Sequence, residues 1–300
     1  MKDFIIENGV LRNYAGPGGA VTVPQGVSVL ADSFFLCRGV TSVVLPEGVT
    51  VIEPAAFYLC ENMISVTLPE SLTEIGKTAF LGCYSLCEVT IPGSVEVIGA
   101  RAFLRCGLRT VRIAPGVKVL ETGAFRNCDD LTEIRLPDSV ISIGPGAFHG
   151  CTKLYRAVLP ATLKKMGNGV FLGCEELREL VAPGFSMETL REHKLILQGA
   201  IGYLCNPDAY TDPKIVEEYG KIMMTQRRRL VSCLVQSDRV EGLQTYAKLR
   251  KINLRNFERD FLQPAMEAGA TACIAFLMNW KNTHISTRSA AKKRAQDWKL

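Results

Sequence analysis

Apolar residues recur at a fixed interval through more than half of the chain. Phe-x-x-Cys occurs at Phe34/Cys37, Phe57/Cys60, Phe80/Cys83, Phe103/Cys106, Phe125/Cys128, Phe148/Cys151 and Phe171/Cys174, with cysteine spacings of 23, 23, 23, 22, 23 and 23 residues. Five places before the later Phe stands Ile52, Ile75, Ile98, Leu120, Ile143 or Met166, and three before that Val49, Leu72, Val95, Val117, Val140 or Leu163. After the Cys comes an L-x-x-V-x-L-P run, as in Leu86, Val89, Ile91, Pro92 or Leu131, Ile134, Leu136, Pro137. Alternate apolar positions closed by proline predict a short strand, because alternate side chains share a face and proline cannot donate to a ladder. The Ile-Gly-x-x-Ala-Phe half predicts a turn, with Gly76, Gly99 and Gly144 at the bend. One such unit cannot bury its apolar side alone. Stacked copies, roughly 4.8 Å apart per strand, build a continuous core.

Two copies depart from the pattern. The first is one residue short before Phe34, and the fourth loses a residue after Cys106, with Ala114 in the proline slot. Both changes fit loops between rungs. The unit resembles the leucine-rich repeats, specifically the BspA-like bacterial subtype with consensus LPxSVxxIGxxAFxxCxxLxxVxI, over residues 24–183. "FIIENGVLRNYAGPGGAVTVP" (4–24) resembles the cap that precedes such arrays. The resemblance implies an N-terminal cap over 1–23 and seven repeats of about 23 residues over 24–183. It implies a right-handed leucine-rich-repeat solenoid with short parallel strands and no catalytic chemistry. For many members it implies adhesion or host contact at the cell surface.

The seven repeat cysteines fall on one line of the stack. Zinc sites use closely paired cysteines such as C-x-x-C, and that spacing does not occur. Disulfides in series along a ladder would be strained, and seven is odd. The position alternates with inward Phe and Leu, so packing as a small hydrophobe is the expectation. Cys87, Cys205, Cys233 and Cys273 have no partner spacing, and 11 reduced thiols fit a cytosolic setting.

Outward strand positions define a candidate partner surface, since solenoids of this kind bind on the strand face. One column reads Ser42, Ser65, Glu88, Thr110, Glu133, Arg156, Glu179, and the next Val44, Thr67, Thr90, Arg112, Arg135, Val158, Val181. Glu88, Thr90, Thr110, Arg112, Glu133, Arg135, Arg156 and Glu179 are the candidate partner-binding residues. A solvated face with cross-strand Glu–Arg pairs is the alternative. No aromatic residue lines either column, which argues against sugar or single-strand nucleic-acid stacking.

At Pro183-Gly184 the period changes to helical turns. The chain is therefore read as α+β, a solenoid followed by an α-helical C-terminal domain over 184–300. "DPKIVEEYGKIMMTQRRRLVSCLV" (212–235) predicts one helix, capped by Asp212, opened by Pro213 and striped by Ile215, Tyr219, Ile222, Met223, Leu230 and Leu234. Further helices are predicted around 188–204, 239–251, 256–267 and 270–281. Residues 261–280 resemble one ankyrin helix pair through Leu262, Ala265, Gly269, Ile274 and Leu277, without the T-P-L-H signature. Such an array is expected to close the solenoid's open edge, since an exposed rung leaves core and strand edge bare.

Net charge is +5, but it is uneven: residues 1–183 hold 16 Lys/Arg against 18 Asp/Glu, and 184–300 hold 19 against 12. Two basic stretches, "QRRRL" (226–230) and "AAKKRAQDWKL" (290–300), are the candidates for nucleic acid or acidic lipid. The reading favoured is a solvated helix face, with nucleic acid not the expected partner. The start "MKDFIIENGVLRNY" has no apolar stretch of signal-peptide length, and no window approaches 18 apolar residues. These features predict a cytoplasmic protein, with the cell surface or secretion as the alternative. His149, His193 and His284 sit in no recognisable catalytic arrangement, and "GPGG" (16–19) reads as a turn. No cofactor, metal or enzymatic activity is expected. The expected function is binding of a protein partner through the repeat surface.

Overall fold

The structure, a computed structural model, describes residues 3–249, 252 and 256–297; for 187 and 285–297 it describes the backbone. The chain divides into two compact units, Met1–Phe185 and Ser186–Leu300.

The first unit is a β-solenoid of parallel strands opened by an antiparallel hairpin. Strands β1 (Phe4–Glu7) and β2 (Val10–Tyr14) form the hairpin, and β2 then pairs in parallel with β4. Each turn contributes one longer and one two-residue strand, except the last, which has the longer strand alone. The longer strands are β3 (Gly19–Thr22), β5 (Val40–Val44), β7 (Ser65–Thr67), β9 (Glu88–Ile91), β11 (Thr110–Ile113), β13 (Glu133–Arg135), β15 (Arg156–Val158) and β17 (Glu179–Val181). The short ones are β4 (Val29–Leu30), β6 (Val51–Ile52), β8 (Glu74–Ile75), β10 (Val97–Ile98), β12 (Val119–Leu120), β14 (Ser142–Ile143) and β16 (Lys165–Met166). The short strands join into one continuous sheet, whereas the longer ones fall into three: β3-β5-β7, β9-β11 and β13-β15-β17.

The pleat explains the core. In β9, Val89 and Ile91 are buried while Glu88 and Thr90 are exposed, and the same alternation holds in β11. Behind the strands the repeat phenylalanines stack from Phe34 to Phe171, with ring centroids 4.9–5.7 Å apart and planes within 3–10° of parallel. Tyr14 of the hairpin continues the column onto Phe34 at 5.2 Å. The cap is thus tied to the array by the same apolar stacking that joins the rungs.

The turns differ from the sequence expectation. Gly76, Gly99 and Gly144 do not bend the chain through a left-handed residue. Those residues lie two places before and two after the repeat Phe, as at Arg101 (φ 57°) and Arg105 (φ 59°) around Phe103. The glycine column answers a different need. A Cβ on Gly99 would lie 2.6 Å from the Ile75 carbonyl oxygen of the preceding rung, and one on Gly76 would lie 2.6 Å from the Pro54 nitrogen. Gly99→Ala is therefore expected to destabilise by about 1–3 kcal/mol through overpacking against backbone. Arg101→Gly relieves a left-handed strain and is expected to stabilise by up to about 1 kcal/mol. Urea midpoints of the two variants check the opposite signs.

The second unit is helical: α1 (Met187–Glu192), α2 (Ile196–Cys205), α3 (Pro213–Thr225), α4 (Arg227–Gln236), α5 (Val240–Lys248), α6 (Gln263–Glu267) and α7 (Thr271–Asp297), with a wide π-turn at Glu258–Leu262 before α6. Asp212 caps α3, accepting from the Lys214 amide at 2.8 Å, and Pro213 opens it. The helix predicted over 212–235 is two helices, broken at Gln226. The Tyr246 hydroxyl, arriving from α5, donates to the Met223 carbonyl at 3.0 Å and so satisfies an acceptor that a continuous helix would use internally. The stretch predicted over 188–204 is likewise interrupted, at Lys194 (φ 59°).

A second repeat runs through this unit at an interval of 31 residues. Leu230, Leu234, Asp238, Leu243 and Tyr246 on α4–α5 match Phe261, Ala265, Gly269, Ile274 and Leu277 on the following helix pair. Both connecting turns carry a left-handed residue, Asp238 (φ 45°) and Gly269 (φ 65°). The Asp238 carboxylate also caps α7, accepting from the Ala272 and Cys273 amides at 3.2 and 2.9 Å.

Candidate functional site

Within each of their three sheets, the longer strands hold the two outward columns in register. Ser42 pairs with Ser65, Val44 with Thr67, Glu88 with Thr110, Thr90 with Arg112, Glu133 with Arg156, Arg135 with Val158, Arg156 with Glu179 and Val158 with Val181. The eight candidate residues therefore lie on one face, as two adjacent lines. Their environments change along it. Glu88, Thr90, Thr110, Arg112 and Arg135 are exposed, Glu133 and Arg156 are half-buried, and Glu179 is buried with only 4% of its side chain open to solvent.

Arg156 and Glu179 leave the accessible set for that reason. The Arg156 guanidinium binds Glu179 at 2.9 Å through Nε and Glu133 through Nη1. Burial works against its charge, but the two carboxylates outweigh this, and Arg156 holds its proton more tightly than usual. The three side chains form a structural ion-pair cluster at the end of the array. Among the described residues, Arg112, Arg135 and Glu88 make no ion pair. The face is thus part cross-strand pairing and part open charge, and the open part lies on β9, β11 and β13.

The seam between β11 and β13 was not read from the sequence. No ladder pairing joins these strands, and none joins β7 to β9. The nearest sequence signal is the 22-residue fourth repeat, which shortens the approach to β11 after Cys106. A shallow notch of about 430 Å³ marks the same turns, lined by Tyr84, Arg105, Gly107, Asn127, Asp129 and Asp130. Another surface feature, the stacked pair Phe35 and Tyr58 at 5.0 Å, follows the repeat phenylalanines by one place.

The cysteine column does more than fill space. Each thiol from Cys60 to Cys174 donates to the carbonyl of the Phe one rung back, at 2.9–3.2 Å, as in Cys106 to Phe80 at 3.0 Å. Burial raises the thiol of Cys128 to about 12 and that of Cys174 to about 12, and moves Cys60, Cys106 and Cys151 upward too. At neutral pH these groups stay protonated, which suits a donor and not a nucleophile or thiolate ligand. Cys106→Ser keeps a donor, whereas Cys106→Ala loses it. Serine is expected to be the better tolerated by about 1 kcal/mol, read from urea unfolding; pure filling would reverse the order.

In the helical unit, the basic run is partly spent on structure. Asp260 is buried and carries ion pairs to Arg227 at 2.6 Å, Arg228 at 3.2 Å and Arg259 at 2.8 Å. The Arg259 hydrogen bond, with the other two cations, holds the Asp260 carboxyl below its usual range. The side chains of the second basic run, 290–300, lie outside the described residues. Among the described residues, no group of three or more His, Cys, Asp or Glu gathers as a metal site, and no helix is long and apolar enough to cross a membrane.

A family model described as BspA type leucine rich repeat region, in 6 copies, matches residues 19–132 and 118–195. The chain belongs to the BspA-type leucine-rich repeat family. Among solved structures, this BspA-type chain is similar to a leucine-rich repeat protein of T. pallidum, at 28% identity over 62% of this chain and 87% of that one, with a TM-score of 0.44. It is also similar to a leucine rich cell surface protein from Faecalibacterium prausnitzii A2-165, at 21% identity over 59% and 74%, with a TM-score of 0.40. No curated protein matches it. In this BspA-type array the rungs set the core, and the outward columns are where the chain varies its chemistry.

Proposed function

We propose that the chain is a non-catalytic binding protein that holds a protein partner on the strand face of its repeat unit. The observation that carries this reading is the pair of outward columns, exposed at Thr67, Glu88, Thr90, Thr110, Arg112 and Arg135 and edged by the ion-pair cluster of Glu133, Arg156 and Glu179. Parallel rungs present side chains on a rigid lattice, which lowers the ordering cost of binding. Arginine at such a surface forms planar, bidentate contacts and is frequent among residues that dominate binding.

The test is affinity capture with the full chain and mass spectrometry, against a Thr67→Arg/Thr90→Arg variant. Both threonines are exposed strand positions, so the variant is expected to fold. The reading predicts a partner retained by the natural chain and depleted roughly tenfold or more by the variant. Equal retention would remove the strand face as the binding surface.

A further inference from the structure

The open part of the strand face has an asymmetry that points to the partner's chemistry. Its first column carries Glu88, Thr110 and Glu133, and Glu133 is already engaged by Arg156. Its second column carries Thr90, Arg112 and Arg135, and neither arginine has an ion pair among the described residues. The two arginines occupy the same repeat position on successive rungs, on either side of the β11–β13 seam. Like charges at matching positions on neighbouring strands repel, and an anion shared between them removes that repulsion. Elsewhere in the array such charges meet partners one rung away, as in Lys153 with Asp130, Arg38 with Glu61 and Lys118 with Glu96.

Resting on the strand-face reading above, we infer that Arg112 and Arg135 form a two-point clamp for an acidic, extended segment of a protein partner. The rungs that carry Arg112 and Arg135 stack with the Phe103 and Phe125 ring centroids 5.2 Å apart, and an extended chain repeats its side chains on one face about every 6.6 Å. Long arginine side chains span that difference, so a segment crossing the rungs sets two carboxylates, one residue apart, against the two guanidiniums. Each guanidinium forks two N–H donors onto one carboxylate. Thr90, opposite Arg112 in the ladder, and Thr110, two places before it on β11, are both exposed and offer hydroxyls to the segment's backbone. Glu88 at the edge of the open face repels a third carboxylate and fixes the register. The absence of aromatic residues from both columns disfavours stacked bases and leaves a protein acid as the better fit.

The clamp is tested by fluorescence anisotropy on the full chain, with three labelled probes: the peptide Gly-Ser-Glu-Thr-Glu-Ser-Gly, its Gln-for-Glu counterpart, and a short oligothymidylate. The Glu peptide is expected to bind and the Gln peptide not. Arg112→Gln/Arg135→Gln should weaken the Glu peptide roughly tenfold, while Arg101→Gln/Arg126→Gln, which removes the same charge from exposed turn positions, should leave it unchanged. Absence of Glu-peptide binding, or equal loss in both double variants, overturns the clamp. Tighter, Arg112- and Arg135-dependent binding of oligothymidylate overturns it in favour of nucleic acid. If Thr67→Arg/Thr90→Arg abolishes partner capture while Arg112→Gln/Arg135→Gln does not, the strand-face reading stands and the clamp falls.

Discussion

Phe103→Ala is expected to lower the stability of the repeat unit by about 3–5 kcal/mol. Phe103 is fully buried and stacked on both sides, 5.0 Å from Phe80 and 5.2 Å from Phe125. Removing the ring opens a cavity in the middle of the column that neither neighbour can fill, because each is held by its own rung. Stability in such arrays is carried by contacts between adjacent rungs, so a central lesion uncouples the two halves. Urea unfolding followed by far-ultraviolet circular dichroism should show a lower midpoint and a broader transition. Phe103→Leu, which keeps most of the volume, should lose far less. A Phe103→Ala chain within about 1 kcal/mol of the natural one would mean that the stack does not carry the fold.

The second large effect is expected at Arg156→Ala. The change removes one charged bond from the Glu179 carboxylate and one from Glu133, and Glu179 is almost wholly shut off from solvent. Breaking a buried pair from one side costs about 3–5 kcal/mol, whereas replacing both members by apolar residues of similar size is near neutral. Arg156→Met combined with Glu179→Leu, which removes the buried carboxylate together with its cation, should therefore lose less than the single change. Urea titrations of the single and double variants give the comparison. A single variant of unchanged stability would mean that the ion-pair cluster does not support the fold.

The solenoid was legible in the sequence because each repeat strikes the same inward positions. Phe34 through Phe171 and the Val/Ile pairs of the strands fall where the period puts them. What escaped was set by contacts between distant residues. The break at Gln226 depends on a hydroxyl from Tyr246, 23 residues away from its acceptor, while the 3.6-residue apolar stripe runs straight across it. The thiol–carbonyl bonds join residues 25–26 apart and leave no mark distinct from apolar spacing. The role of Gly99 was legible only as a small residue, since a bend and a close approach of rungs both call for glycine. Of the candidate site, the two columns were legible from the pleat alone. The burial of Glu179 and the division of charge between a closed cluster and two open arginines were not, because they depend on what surrounds each strand end.

The most direct measurement is site-specific photo-crosslinking on the full chain, with a benzophenone amino acid placed at Thr90 on the longer-strand face or at Val97 on the short-strand face, in a lysate of its own cells. Both positions are exposed and lie on β9 and β10, which follow one another in the chain but belong to different sheets. The account predicts a crosslinked protein from Thr90, abolished by Thr67→Arg, and none from Val97. Crosslinking from Val97 alone, or from both positions equally, would contradict a partner held on the longer-strand face.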